Sequence, residues 1–219
     1  MKSRREYYGG RIPLARHALR VVLNRCWSFI LRGGLGKVGS SFNVDFTSRI
    51  LGGKRVAIGS HFYATRGLKI IVNDLSAGSP LVQIGNHVAL NEFVTIAAYD
   101  PIHIGDHVLV GSRVYIGNVN HGHYGLSSPS LPTVPPNDRP LIGSGGLDIA
   151  SNVWIGEGAI IPGGIVIGEG SIIAAGSIVT KDVPRHVIVA GNPARVVKRF
   201  DPEQLAWTKP QYASSERLS

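Results

Sequence analysis

From Ile149 to Val183 an aliphatic residue returns every six positions, at Ile149, Ile155, Ile161, Ile167, Ile173 and Val179. Four residues after each stands Val153, Ala159, Ile165, Ser171, Ser177 or Val183, all small or β-branched. Six is a multiple of the strand period of two and not of the helical 3.6. The first and fifth side chains of every hexad can therefore face one interior, strand after strand. Glycine takes the fourth place at Gly158, Gly164, Gly170 and Gly176, where a recurring turn needs backbone angles that glycine adopts freely. Short strands joined by regular turns predict a parallel β-helix.

The same register holds upstream, through Ile84, Leu90, Ile96, Ile104, Val110 and Ile116. Ile84 and Ile104 lie two residues further apart than three hexads, which predicts a bulge at Tyr99-Asp100-Pro101. With three hexads to a triangular coil, three interior columns are expected. One holds Ile84, Ile104, Ile149 and Ile167; the second Leu90, Val110, Ile155 and Ile173; the third Ile96, Ile116, Ile161 and Val179. From Val38 to about Val82 the repeat is ragged, and its pieces read as first coils with corner insertions. His61 falls there as a coil-surface residue.

Two stretches break the pattern. Between Ile116 and Ile149 the chain is polar, proline-rich and free of hexads, and it leaves the repeat at Asn120-His121-Gly122-His123. A long structureless excursion inside a regular array is usually functional. At the other end Leu19, Val22, Leu23, Trp27, Ile30 and Leu31 recur at helical spacing, with Arg16, Arg20, Arg25 and Arg32 mainly off that stripe. Such a helix can close the open end of the coil against Val38 and Phe42, or lie on an anionic lipid surface. The organisation expected is residues 1–35 as a basic helical segment, 36–198 as the β-helix with an inserted loop over 118–148, and 199–219 as a C-terminal tail.

Composition narrows the partners. The net charge is +9, which favours anionic ligands or surfaces. No helix-turn-helix, zinc-finger or RNA-binding signature is present, so nucleic acid is not an expected partner. No run of about 20 apolar residues reads as a membrane span, the N-terminus lacks a signal-peptide core, and the lone Cys26 leaves no internal disulfide. The expected location is cytoplasmic, with a peripheral position at the inner face of the membrane through Arg4, Arg5 and the helix that follows.

The hexads, the histidine-bearing loop and the run VWIGEGAIIPGGIVIGEGSIIAAGSIVTKDVPRHVIVAGNPARVVK resemble the hexapeptide-repeat acyltransferases. The nearest branch is that of the maltose, galactoside, capsular and lipopolysaccharide O-acetyltransferases. The resemblance covers Ile84 to Lys198 and implies an all-β, left-handed parallel β-helix. Pattern alone does not set that hand, which departs from the usual right-handed crossover. It also implies a homotrimer with acetyl-CoA between subunits, no metal, and a sugar or glycan acceptor.

In that likeness the catalytic histidine falls on His121, an imidazole suited to accept a hydroxyl proton and return it to a thiolate. Asn91 matches an active-site asparagine that contacts the acceptor or the oxyanion, while Asn120 and His123 are assigned to substrate binding. Trp154, Gly156 and Gly158 match the coil along the pantetheine arm. Lys181, Arg195 and Lys198 match cations near the adenosine phosphates.

Other readings stay open. An antibiotic acetyltransferase shares the fold, and a non-catalytic solenoid could serve as a scaffold. A γ-type carbonic anhydrase would place zinc on histidines, for which His87, His103, His107, His121 and His123 are the candidates.

Overall fold

A computed structural model describes residues 11–73, 78 and 81–210, with side chains from residue 15 onward. Arg4, Arg5 and the tail beyond 210 lie outside the described residues.

The chain folds as a left-handed parallel β-helix of triangular section. Face A stacks six strands, Lys37–Val38, Val56–Ile58, Val82–Ile84, Ile102–Ile104, Leu147–Ile149 and Ile165–Ile167. Face B begins with Asn43–Val44, Tyr63–Ala64, Ala89–Leu90, Leu109–Val110, Trp154–Ile155 and Ile172–Ile173. Face C holds Arg49–Leu51, Lys69–Val72, Thr95–Ala98, Tyr115–Gly117 and Ile160–Pro162.

The register between coils gives the three expected columns. Ile84 pairs with Ile104, Ile104 with Ile149, and Ile149 with Ile167. Leu90, Val110, Ile155 and Ile173 pair in the same way on face B. On face C the pairs run Ile96 to Ile116 to Ile161, and the bridge between Ile160 and Ile178 carries that column on to Val179. The fifth-position residues Val153, Ala159, Ile165, Ser171, Ser177 and Val183 are buried with them. This continuous apolar column is the core, and the coil advances because each layer covers the one before it.

Fourth-place residues turn with positive φ, as the glycines predict, at Gly158, Gly164, Gly170 and Gly176. At the corner from face A to face B the same place is filled by Ser41, His61, His87, His107, Asn152 and His186, also at positive φ. Asparagine and histidine tolerate this region better than most side chains. Regular stacking then lays His61 on His87 (ring centroids 4.5 Å apart) and His87 on His107 (4.8 Å). These imidazoles are a consequence of turn geometry.

Helix α1 (Arg11–Gly34) covers the first coil, and it divides the stripe expected from spacing. Trp27 and Leu31 turn inward against the core. Leu19, Val22, Leu23 and Ile30 face outward, which corrects the expectation that they act as one surface. The remaining contacts with the coil are polar. Ser28 bridges the amide and carbonyl of Val44 through its hydroxyl, Asn24 accepts the amide of Phe46 (2.9 Å), and the Trp27 indole donates to the Ser48 carbonyl (3.1 Å). A coil end exposes unpaired backbone groups, so polar side chains close it better than leucines would.

Asp45 anchors this closure, accepting from Arg20 (2.7 Å) and from the hydroxyl of Thr47 (2.6 Å). Burial works to raise its carboxyl, yet Thr47 and Arg20 together hold it below the ordinary value. A depressed carboxyl stabilises the fold fully above its unfolded pKa, and that contribution disappears as pH falls through the folded value. Asp45→Ala is expected to cost about 1–2 kcal/mol at neutral pH, with the Arg20 side discounted for its exposure. Thermal melts should show the difference from wild type shrinking as pH drops below the usual carboxylate range. A gap that stays constant with pH would remove Asp45 from the closure.

Val187–Gly191 still pairs in parallel with Ile172–Ile173, and the two strands that follow it are antiparallel. Val187–Gly191, Ala194–Asp201 and Ala206–Thr208 extend face B, so the expected boundary at 198 falls inside a strand. Phe200 meets Trp207 edge-on at 5.4 Å, which pins this hairpin.

Candidate active site

The excursion leaves and returns at the corner from face C to face A. It is ordered, in contrast to the structureless loop expected. Val119–His121 pairs antiparallel with Leu141–Gly143, setting His121 opposite Leu141 and Asn120 opposite Ile142. At the root stands Asn118, fully buried. Its side-chain oxygen accepts the amides of Tyr99 (2.8 Å) and Asp100 (3.2 Å). Its amide donates to the carbonyls of Asp100 (3.0 Å) and Gly145 (3.1 Å). Asp100 in turn accepts the amide of Gly145 (2.7 Å). The two extra residues at Tyr99-Asp100-Pro101 thus form the socket in which the excursion is seated.

Further out, Arg139 laces the loop. Its Nε donates to the Val134 carbonyl (2.9 Å), and a terminal nitrogen donates to the Tyr124 hydroxyl (3.0 Å). That hydroxyl donates to the His121 carbonyl. The His121 backbone is therefore held from both sides while its imidazole is exposed. His123 differs, because its Nδ1 accepts the amide of Gly125 (3.3 Å) and its amide donates to Ser130 (3.0 Å). It shapes the loop. Neither Asn118 nor Arg139 was singled out by sequence reasoning; the only signal was a polar residue directly after the last hexad before the break.

The remaining predicted residues lie elsewhere. Trp154 stands on the outer side of face B, in a row running Leu109, Trp154, Ile172, Ile188 and Lys198. Three strand spacings put Lys198 on the order of 14 Å from Trp154 along that row. Leu109 and Trp154 are exposed, so the row is an apolar wall ending in a cation. Gly156 sits at the corner from face B to face C, where an added Cβ would lie 2.5 Å from the backbone nitrogen of Ala175. Stacking alone demands glycine there, and it leaves the corner bare. Arg195, paired with Ala190, and the exposed Asn91 flank the same corner, with Gly158 in the turn that follows.

Two groups result. His121, Asn120, His123 and Lys181 belong to the corner from face C to face A. Asn91, Trp154, Gly156, Gly158, Arg195 and Lys198 belong to face B and its far corner. The strands of face C separate them, so one copy does not bring Asn91 to His121. The histidines behind the zinc alternative are scattered too: His87 and His107 lie in the turn stack, His103 faces Asp148 at 3.4 Å on face A, and His121 and His123 sit on the excursion. Among the described residues no group of three or more His, Cys, Asp or Glu side chains could hold a metal.

Comparison with known proteins agrees with this architecture. The model of the bacterial transferase hexapeptide (six repeats) matches residues 148–181, and that of the hexapeptide repeat of succinyl-transferase matches 101–118. An Escherichia coli K12 protein named for O-acetyl transfer in lipopolysaccharide biosynthesis is 30% identical over 155 residues, 70% of this chain and 76% of its own. The galactoside O-acetyltransferase of the same organism is 33% identical over 153 residues, 68% of this chain and 70% of its own. A chloramphenicol acetyltransferase of Agrobacterium fabrum is 35% identical over 117 residues, 49% and 56% of the two chains. Among solved structures, an N-acyltransferase variant from Bacillus cereus, bound to coenzyme A and a dTDP-amino sugar, superposes with a TM-score of 0.65. It is 20% identical and covers 81% of this chain and 90% of that one, a likeness of fold.

The hexapeptide repeats that the two family models match are coils of this β-helix. The chain belongs to the hexapeptide-repeat acyltransferase family, and it is an acyltransferase.

Proposed function

We propose that this chain transfers the acetyl group of acetyl-CoA to a hydroxyl of a sugar, in the assembly of a polysaccharide or lipopolysaccharide. It does so as a homotrimer whose sites lie between copies. The observation that carries the reading is the separation of the two residue groups by face C. Neither group alone has both a base and a coenzyme wall, whereas a neighbouring copy can set its face B against the His121 loop. Relatives named for lipopolysaccharide and galactoside O-acetylation support a sugar acceptor.

In this reading the pantetheine arm runs along Trp154 and the bare corner at Gly156 and Gly158. Arg195 and Lys198 meet the phosphates, where charge-assisted hydrogen bonds are strongest. Lys181, on the loop side, reaches the phosphates from the opposing copy. The His121 imidazole takes the proton of the acceptor hydroxyl as its oxygen attacks the thioester carbonyl. The tetrahedral intermediate collapses to the acetyl ester, and the departing thiolate receives that proton. Asn91 donates to the oxyanion or orients the acceptor. A second reading, acetylation of an antibiotic hydroxyl, is favoured by the chloramphenicol acetyltransferase match, and chloramphenicol belongs in the acceptor panel for that reason.

Subunit mixing tests the proposal. His121→Ala and the double variant Arg195→Ala/Lys198→Ala should each transfer acetyl groups poorly at low acetyl-CoA. Co-assembled in equal amounts, they should recover about a quarter of wild-type activity, because one site in four then pairs an intact loop with an intact wall across a cyclic interface. Two defective variants that stay additive would place the whole site within one copy.

A further inference from the structure

Among the described residues the outer face of α1 is open apart from one edge, where Leu19 and Leu23 lie beside Phe46. Leu19, Val22, Leu23, Phe29 and Ile30 project from it, with Phe29 81% and Leu19 60% exposed. At about 100° per residue these five cover roughly a third of the helix circumference. Arg16 borders that arc on one side and Arg25 on the other, and no acidic residue occurs anywhere from 11 to 34. The opposite side is committed to the coil through Asn24, Trp27, Ser28 and Leu31. Closure of the coil therefore makes no use of the apolar arc.

A second feature adjoins the first. Beside Phe29 a crevice of about 580 Å³ opens between the helix and the first two coils, and its lining includes Arg25, Arg32, His61 and Tyr63 and no carboxylate. An apolar arc framed by arginines, next to a cationic crevice, is complementary to acyl chains beneath anionic headgroups.

We propose that α1 docks this protein on an anionic bilayer. The helix lies in the interface with Leu19, Val22, Phe29 and Ile30 among the acyl chains, and a lipid phosphate sits in the crevice between Arg25 and Arg32. No helix among the described residues is long and apolar enough to cross a membrane, so the attachment is peripheral. Charge selects the bilayer over a second copy of the same helix, which would set arginine against arginine.

The test uses the full chain and co-sedimentation with two kinds of vesicle at low salt: phosphatidylglycerol mixed with phosphatidylcholine, and phosphatidylcholine alone. Binding is expected on the mixed vesicles and at least tenfold weaker on phosphatidylcholine. Arg16→Gln and Arg25→Gln should each weaken binding about fivefold, the value of one cation at a charged surface. The double variant Leu19→Ser/Phe29→Ser should weaken it at least tenfold with an unchanged melting temperature. Full-length protein left in the supernatant, or equal binding to both vesicles, would overturn the proposal. So would a double variant that still binds, that melts earlier, or that changes oligomeric state by light scattering without lipid; the last two would make the arc a packing surface. No arm reads enzyme activity, so the outcome is independent of the proposed reaction.

Discussion

His121→Ala is expected to lower acetyl transfer by about 10²–10⁴-fold, the usual worth of a general base, and to leave the melting temperature unchanged. The two halves of this expectation have separate grounds. The loop is held through backbone groups at His121, namely its pairing with Leu141 and its carbonyl under the Tyr124 hydroxyl. The imidazole itself is exposed, so removing it leaves those bonds in place. Affinity for acetyl-CoA, measured by calorimetry, should change little, because the cations assigned to the phosphates belong to other segments. Turnover near that of wild type would take the base away from His121. His123 would then need its Nδ1 freed from the Gly125 amide before it could serve.

Asn118→Ala should do more damage by a different route. The side chain makes four hydrogen bonds, to the amides of Tyr99 and Asp100 and the carbonyls of Asp100 and Gly145, and it is fully buried. Truncation strands those groups at a cost of about 2–4 kcal/mol. For a domain of this size that corresponds to a melting temperature lower by roughly 5–15 °C. His121 stands three residues further on, at the end of the strand that Asn118 roots, and small displacements of a reacting group cost about 10²-fold. Activity should therefore fall with stability in this variant, whereas His121→Ala separates the two. If Asn118→Ala melts with wild type and keeps its turnover, the socket is not what positions the loop.

The coil was legible because its physics is local and periodic. A residue such as Ile155 faces inward since six is a multiple of two, and the hexads before and after it repeat the argument. The pairing of Ile155 with Ile173 then follows from counting. The helix was legible as a helix from its spacing, but its orientation was not. The same six apolar residues suit burial or exposure, and the choice depended on which polar groups the open coil presents. Asp45 and the backbone of Val44 drew in Arg20 and Ser28, and that rotation sent Leu19 and Ile30 outward.

The sequence by itself determined the repeat, the interior columns, the glycine turns and the histidine at the long internal break, since each depends only on neighbours along the chain or on a constant period. Tertiary structure decided the rest. Asn118 became a socket only when Tyr99-Asp100-Pro101 from the coil before it and Gly145 from the far side of the excursion closed around it. The division of the predicted site between two corners took effect when the coil closed: Asn91 follows a face B strand and His121 a face C strand, so face C stands between them. Contacts between residues 18 to 27 positions apart depend on how coils stack and on where an irregular loop returns, and no period in the chain encodes that return.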